Sequence, residues 1–192
     1  MNTLLNEILL AREARVQKQN HLLTQFKKPL LCFTMNIPGP EKYNRDVSIG
    51  FAVGNWLLQD ALREYKVLHK EENRLITGCE AYYVVDMPAP ELKRLAVELE
   101  NIAPVGRLFD MDVLDVRGNR LDRSLVNVNS RDCIVCGAPG RGCASRRLHT
   151  LDELQAAVAK IMETHFLQMD RDTIAALAVQ SLLDEVNTTP KP

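Results

Sequence analysis

The sequence predicts an α+β fold in which a mixed sheet is flanked by helices. Two amphipathic stretches with an apolar period of about 3.6 residues indicate long helices near residues 3–26 and 44–65. Three stretches rich in β-branched and aromatic residues indicate strands near residues 30–37, 80–86 and 106–116. The 192 residues are enough for one domain with a hydrophobic core.

Composition limits the class of protein. The hydrophobic fraction of 46% is ordinary for a globular chain, and the net charge of −1 argues against a protein that binds nucleic acid over its whole surface. No stretch approaches the roughly 20 apolar residues of a membrane-spanning helix. Charged residues such as Glu7 and Arg12 interrupt any N-terminal apolar segment of the kind found in signal peptides. We therefore expect a cytoplasmic protein with reduced thiols and no nucleic-acid or membrane partner.

The N-terminal helix is predicted to pack unevenly, because the middle of its apolar stripe is polar. Only its two ends are expected to contact the domain. A buried strand at 30–37 follows, and then the rigid turn Pro38-Gly39-Pro40-Glu41-Lys42. This turn is either a phosphate-facing loop with Lys42 reaching the ligand or a plain connection between a strand and a helix.

The next helix and hairpin follow from apolar periodicity and turn residues. Gly50 and Gly54 lie on the apolar face of the helix at 44–65, where they permit close backbone approach. Residues 66–70 and 74–77 are predicted to form two short strands joined by the turn between them.

Two aspartates occupy the stretch Gly106–Val113, which is predicted to be a strand. Side chains alternate along a strand, so Asp110 and Asp112 share one face with Cα atoms about 6.6 Å apart. Two carboxylates at that spacing can share divalent cations. The alternative is an ordinary hairpin with a hydrated face. Glu98 and Glu100, near the end of the preceding helix, are either a third carboxylate ligand or helix surface.

Residues 124–149 are predicted to be a loop, because asparagine, glycine and proline are frequent there. The loop contains the pattern C-x2-C-x6-C-x5-H, which fits a tetrahedral zinc site. A metal would also supply folding energy that the few apolar residues of the loop cannot. Packing cysteines or a redox pair are the alternatives. The residues of the pattern are Cys133, Cys136, Cys143 and His149.

The remaining boundaries of predicted strands and helices are indicated by turn residues and by a helix-capping motif. Arg117-Gly118-Asn119 predicts a turn, after which residues 120–122 begin a return strand. Thr150 and Glu153 predict a capping box at the start of a helix that runs to about His165. A last helix is expected to end near Val186. The resulting organisation is a single domain over 1–187, comprising an N-terminal helix at 1–28, the Cys/His loop at 124–149 and C-terminal helices at 150–187, with a flexible tail at 188–192.

Several stretches occur in an order typical of one family. They are Thr34–Lys42, Val97–Glu100, Gly106–Val113 and the cysteine-histidine pattern. Over roughly residues 4–165 the chain resembles the citrate lyase holo-acyl-carrier-protein synthases, the apo-citrate lyase phosphoribosyl-dephospho-CoA transferases. The resemblance implies an enzyme that takes 2'-(5''-triphosphoribosyl)-3'-dephospho-CoA, attaches its phosphoribosyl-dephospho-CoA part to a serine of the apo acyl carrier subunit of citrate lyase, and releases pyrophosphate.

The resemblance also implies site residues. Asp110 and Asp112 are assigned as catalytic ligands of Mg2+, whereas structural Zn2+ at the cysteine-histidine pattern is the expectation from its spacing. Four basic residues are assigned as phosphate binders: Lys42, Arg107, Arg146 and Arg147. The chain departs from the family at Ser145, where an arginine is expected. A nucleotidyltransferase-like sheet is an expectation by analogy.

Two other classes compete with the transferase. The first is a non-catalytic zinc-binding interaction module, in which Asp110 and Asp112 only lie on the hydrated face of a hairpin. The second is a thiol redox protein that uses Cys133 and Cys136. Redox CxxC motifs usually open a helix, whereas Pro139 and the neighbouring glycines predict a loop here.

Overall fold

The computed structural model describes residues 3–168 and confirms the α+β class. The described elements are α1 (Thr3–Phe26), β1 (Leu30–Met35), α2 (Arg45–Ala61), β2 (Val67–Leu75), β3 (Gly78–Val85), α3 (Ala89–Leu99), β4 (Phe109–Leu114), α4 (Gly140–Arg146) and α5 (Leu151–Gln168). Two short 3₁₀ helices, Pro104–Leu108 and Arg123–Val126, precede β4 and follow it.

The sheet has four strands in the order β2-β3-β1-β4. Each strand pairing is antiparallel, where the sequence had suggested a mixed sheet. Thr34 in β1 lies opposite Glu80 in β3 and Asp110 in β4. Because paired residues place their side chains on the same face, this register puts the aspartates of β4 on the face that carries Thr34 and Glu80.

One face of the sheet holds the main hydrophobic core, which α2, α3 and α5 cover. The rings of Phe33 and Phe51 stack there with centroids 4.8 Å apart. The close approach expected at the α2 glycines is confirmed: a Cβ on Gly54 would lie 2.4 Å from the Phe33 ring, and one on Gly50 would lie 3.0 Å from Met162. Glycine at these positions therefore sets the distance between α2 and its neighbours.

The opposite face of the sheet is covered by α1. Leu22 and Leu23, near the end of the helix, are buried against the sheet. The polar middle of α1, which was not expected to pack, is attached through ion pairs instead: Arg15 lies 2.6 Å from Glu80, and Lys18 lies 2.7 Å from Glu71. The expectation that only the ends contact the domain was therefore wrong, because it considered apolar contacts alone.

Three local predictions are corrected. β2 is one continuous strand, and the hairpin turn falls at 76–77 instead of 71–73. Residues 104–108 form a 3₁₀ helix, so the strand with the aspartates begins only at Phe109. Pro104 starts that turn, and Gly106 packs so closely on α3 that a Cβ would lie 2.9 Å from the carbonyl oxygen of Glu100. The return strand at 120–122 is reduced to one bridge between Leu114 and Arg120.

The segment 124–149 is more ordered than a loop, because it contains the helix α4. The capping box that begins α5 is confirmed by hydrogen bonds in both directions between Thr150 and Glu153. The predicted last helix and the flexible tail lie outside the described residues, as does the predicted domain end at 187. No helix within residues 3–168 is long and apolar enough to cross a membrane.

Candidate active site

Asp110 and Asp112 lie on the same face of β4, opposite the buried side chains of Phe109, Met111 and Val113. Burial raises the pKa of Asp112 to about 6, and the negative charge of Asp110 adds to the effect. Arg120 partly compensates, because its guanidinium lies 2.8 Å from Asp112 Oδ1. The two carboxylates are therefore close enough to repel each other, which favours a bound cation.

The outer edge of β4 is held by side chains, because no strand pairs with it in the described sheet. The Met111 N–H donates to Glu100 Oε1 at 2.9 Å, and Lys93 Nζ donates to the Met111 carbonyl at 3.1 Å. Arg131 donates to the Phe109 carbonyl at 2.5 Å. These bonds fix the strand that carries the aspartates.

Glu100 organises the charges beside this edge. Its carboxylate is 1% exposed and accepts hydrogen bonds from both Arg123 and Arg131. Of the two glutamates considered as a third carboxylate, Glu100 lines the same cavity as the aspartates, whereas Glu98 is exposed. Both oxygens of Glu100 are engaged by arginines, so its charge is already compensated by these side chains.

A cavity of about 900 Å³ runs along this edge and is lined by Asp110, Asp112 and Glu100. Its volume lies within the usual range for a small-molecule site. Leu121, Leu151 and other apolar side chains line another part of its wall. Six arginines also line the cavity: Arg107, Arg120, Arg123, Arg131, Arg141 and Arg147. Such a lining, which combines carboxylates, many guanidinium groups and apolar side chains, suits a ligand that has both phosphates and apolar parts.

The predicted phosphate binders are not all in one place. Arg107 and Arg147 line the cavity with the aspartates, and so do Pro38 and Gly39 from the turn after β1. Arg146 is exposed and is not part of this lining. Lys42 lines a second, smaller cavity, which meets the first at Asp110.

Sequence reasoning missed Lys93, Arg120, Arg123 and Arg131. The hydrogen bond from Arg131 to Glu100 joins residues 31 positions apart, and that from Arg123 to Glu100 joins residues 23 positions apart. Neither the helical period nor the alternation of a strand predicts contacts between residues so far apart in the sequence. The one available signal was Arg120, since it comes directly after the predicted turn and was expected to pair with the strand of Asp112.

The four residues of the cysteine-histidine pattern come together. Their candidate ligand atoms all lie within 4.8 Å of one another. The thiols of Cys136 and Cys143 are 3.5 Å apart. His149 Nε2 is buried without a hydrogen-bond partner among residues 3–168. Burial opposes ionisation of Cys133, but the N–H groups of Cys136 and Val135 lower its pKa to about 7. The neighbouring thiol of Cys136 and burial raise the pKa of Cys143 to about 11, so that the cluster holds one acidic thiol. The convergence of three thiols and an unpartnered imidazole nitrogen fits a metal site.

The fold explains this convergence. Cys133 and Cys136 lie in a tight turn in which the Gly137 N–H donates to the Cys133 carbonyl, at 3.0 Å, and Gly137 has a φ of +72°. Cys143 projects from α4, and His149 follows the end of that helix. Cys133, Cys143 and His149 also line the cavity of the aspartates. The cluster therefore forms part of the cavity wall.

Comparison with known proteins shows the family of the chain. The profile of the family described as apo-citrate lyase phosphoribosyl-dephospho-CoA transferase (CitX) matches residues 3–165. The chain belongs to this family. The membership predicted from the sequence is thereby confirmed, over nearly the residues expected. The nucleotidyltransferase-like arrangement of the sheet stays a prediction.

Alignments with individual relatives that carry the name of this family cover most of the chain. A probable apo-citrate lyase phosphoribosyl-dephospho-CoA transferase of Streptococcus pyogenes serotype M18 is 33% identical over 84% of this chain and 86% of its own length. One of Vibrio cholerae serotype O1 is 31% identical over 82% of this chain and 90% of its own length. Protein CitXG of Haemophilus influenzae is 32% identical over 98% of this chain but only 40% of its own length. This last match, to protein CitXG alone, extends beyond residue 168.

Proposed function

We propose that the protein transfers phosphoribosyl-dephospho-CoA from 2'-(5''-triphosphoribosyl)-3'-dephospho-CoA to a serine of the apo acyl carrier subunit of citrate lyase. One observation carries the proposal: in a CitX family chain, the aspartate pair opens into a large cavity lined by six arginines. That charge pattern suits a donor that carries several phosphates.

The proposed reaction is a phosphoryl-type transfer of the kind catalysed by nucleotidyltransferases. The serine oxygen forms a bond to the α-phosphorus of the donor, and the bond from that phosphorus to the β-bridging oxygen breaks. The electron pair of the broken bond leaves with pyrophosphate, and the proton of the serine hydroxyl passes to solvent. Positioning and charge stabilisation dominate such reactions, so fixed cations around the phosphates are the main requirement.

Asp110 and Asp112 would hold Mg2+, and the residues fit this ion. Both are oxygen ligands on one strand face, and the raised pKa of Asp112 reflects burial and a neighbouring like charge that a divalent cation would offset. When bound, the ion would neutralise charge on the reacting phosphates.

The arginines of the cavity would bind the phosphates and orient the donor. Arg107 is fixed by donating to the Asp132 carbonyl at 2.5 Å, and Arg147 ends α4 in a left-handed conformation with a φ of +51°. A role for Arg146 requires that the donor or the carrier extend beyond the cavity, because its exposed side chain is not part of the lining.

The cysteine-histidine cluster would hold structural Zn2+. Three thiols and one imidazole are the usual donor set of a closed tetrahedral zinc site. The ion would fix the turn at 133–136 to α4 and thereby hold one wall of the cavity in place. Because the thiols must stay reduced for this role, we place the protein in the cytoplasm.

The direct test combines the protein with Mg2+, the apo carrier subunit and the triphosphate donor, and measures the mass of the carrier. The expected result is a carrier heavier by the prosthetic group. An unchanged mass, with a donor shown to be active in a reference reaction, would contradict the proposal.

Substitutions at the aspartates separate catalysis from folding. Asp110→Asn and Asp112→Asn are each expected to lower transfer by at least about 100-fold, because removing a charge-stabilising group typically costs 10²–10³ in rate. Their melting temperatures should stay close to wild type. Asp115→Asn is the matched control, since Asp115 only accepts hydrogen bonds within the turn to Asn119. Normal turnover in both site variants would rule out the metal role.

A non-catalytic zinc-binding interaction module is not favoured, since the chain belongs to a family of transferases.

A further inference from the structure

A second cavity, of about 150 Å³, lies beside the first. It is lined by Arg12 and Arg15 from α1, by Thr34 from β1 and by Lys42 from the turn after β1. Asp110 lines both cavities, and so does Asn36. The two cavities therefore meet at one of the two proposed metal-binding carboxylates.

Two of the three cations that line the small cavity, Arg12 and Lys42, have no carboxylate partner within residues 3–168. Arg15 is committed to Glu80, which lies 2.6 Å away. Arg12 makes no hydrogen bond or ion pair within residues 3–168, and Lys42 donates there only to the backbone carbonyl of Ile37. Burial lowers the pKa of Lys42, and the positive charge of Arg12 lowers it further. Two cations held close together, with one carboxylate beside them, favour a bound anion.

The two cavities also differ in what they can hold. A volume of about 900 Å³ is within the range of sites for drug-sized ligands, whereas about 150 Å³ is below it. The large cavity has apolar walls for a nucleotide and its attached chain. The small one suits a compact and highly charged group.

We propose that the small cavity binds the leaving pyrophosphate and that the large cavity binds the dephospho-CoA body of the donor. This inference rests on the proposed function. The bond that breaks joins the α-phosphorus to the β-bridging oxygen, and it would lie beside Asp110, where the cavities meet. Arg12 and Lys42 neutralise the charge that the pyrophosphate gains with the electron pair. Because attack is in line, the serine of the carrier approaches from the side away from these two cations.

Binding measurements test this division without turnover. Calorimetry on the full chain in Mg2+ would use inorganic pyrophosphate and 3'-dephospho-CoA, separately and together. The wild type is expected to bind both at once. Arg12→Gln and Lys42→Gln should each weaken pyrophosphate binding at least tenfold and leave dephospho-CoA binding within twofold. Mutually exclusive binding, or unchanged pyrophosphate affinity in both variants, would overturn the proposal.

A variant on the same helix controls for loss of α1 packing. Lys18→Gln removes one positive charge from α1 and breaks its ion pair with Glu71, but Lys18 does not line the cavity. It should keep wild-type affinity for pyrophosphate. Equal weakening by Lys18→Gln and Arg12→Gln would assign the effect to helix docking and refute a pyrophosphate site. Lys42→Gln tests the same site from another element, should Arg12→Gln fold poorly.

Turnover distinguishes the two proposals. Arg12→Gln is expected to raise the inhibition constant of product pyrophosphate at least tenfold. If the wild type modifies the carrier but the affinity for pyrophosphate does not depend on Arg12 and Lys42, only the inference fails. If pyrophosphate binding depends on both residues but no carrier is modified, the proposed function fails instead.

Discussion

At the scale of single residues, Glu100 connects the core to the site. Its buried carboxylate accepts bonds from Arg123, Arg131 and the Met111 N–H. We expect Glu100→Gln to lower the free energy of unfolding by about 3 kcal/mol, since removing one partner leaves buried charges uncompensated. Urea denaturation at pH 7 would measure the loss.

The exposed Glu98 provides the control for that measurement. Glu98→Gln, two residues away near the same helix end, should change the free energy of unfolding by less than about 0.5 kcal/mol. Equal effects of the two substitutions would show that charge near the end of α3, and not the buried network of Glu100, sets the stability.

The buried His165 is expected to make the free energy of unfolding depend on pH. Its side chain is buried on α5, its Nε2 has no hydrogen-bond partner within residues 3–168, and burial lowers its pKa below the usual 6.5. Between 6.5 and the folded-state pKa the unfolded chain binds more protons, so stability is retained above pH 6.5 and lost as pH falls through that window. His165→Leu should flatten this loss, measured as urea midpoints from pH 7.5 to 5.

A second histidine serves as a control that separates the effect of His165 on stability from the effect of acid on the rest of the chain. His21 lies exposed on α1, so His21→Leu should keep the wild-type slope with pH. A wild-type slope in His165→Leu as well would show that the buried imidazole is not responsible.

The sequence predicted which site residues lie together where these residues are close in the chain and follow a regular spacing. The shared face of Asp110 and Asp112 followed from alternation along one strand, and the grouping of four metal-binding residue types followed from their spacing. The arginines around Glu100 were missed, because their contacts cross 23 and 31 positions of the chain and depend on how α3, β4 and the segment 120–131 fold together.

At the scale of elements, packing between α2 and the sheet depends on Gly54. A Cβ there would lie 2.4 Å from the Phe33 ring and 2.9 Å from the Phe109 ring. Gly54→Ala is expected to destabilise by about 1–3 kcal/mol through overpacking, although alanine favours helix by about 1 kcal/mol. Thermal denaturation would show a lower melting temperature.

Gly142 in α4 is the matched position for this substitution, because nothing lies within 4 Å of the Cβ it would gain. Gly142→Ala should be neutral or stabilising. A stable Gly54→Ala variant would mean that the two rings move apart without cost.

The element errors share a physical cause. Glu71-Glu72-Asn73 looks like a turn by composition, but pairing with β3 keeps it extended, and Glu71 is held by Lys18 of α1. Residues 106–108 were predicted to be extended, but the carbonyl oxygens of Leu99 and Glu100 pack against Gly106 and the chain forms a 3₁₀ helix there. In both cases contacts distant in sequence override local propensity.

At the scale of the whole molecule, the proposed zinc site should support the cavity. Removing metal with a chelator is expected to expose residues 124–149 to proteolysis and to reduce transfer strongly, because the cluster forms part of the cavity wall. Elemental analysis should find about one zinc per chain before treatment.

Cysteine variants identify the source of that metal. Cys136→Ser should lose the zinc, whereas Cys79→Ala, which alters a buried cysteine of β3 outside the cluster, should retain it. Full zinc content in Cys136→Ser, or unchanged proteolysis after chelation, would contradict the structural role.

The closed outer edge of β4 also limits how a partner can be recognised. Many proteins bind an extended peptide by adding it as a new strand to a free sheet edge. Here the side chains of Glu100, Lys93 and Arg131 already occupy the outward-pointing backbone groups of Met111 and Phe109. An extended segment of the proposed carrier would therefore not add to this edge as a further strand. Under the proposed function, the serine of the carrier would therefore reach Asp110 and Asp112 through contacts with side chains of the cavity and not through backbone pairing with β4.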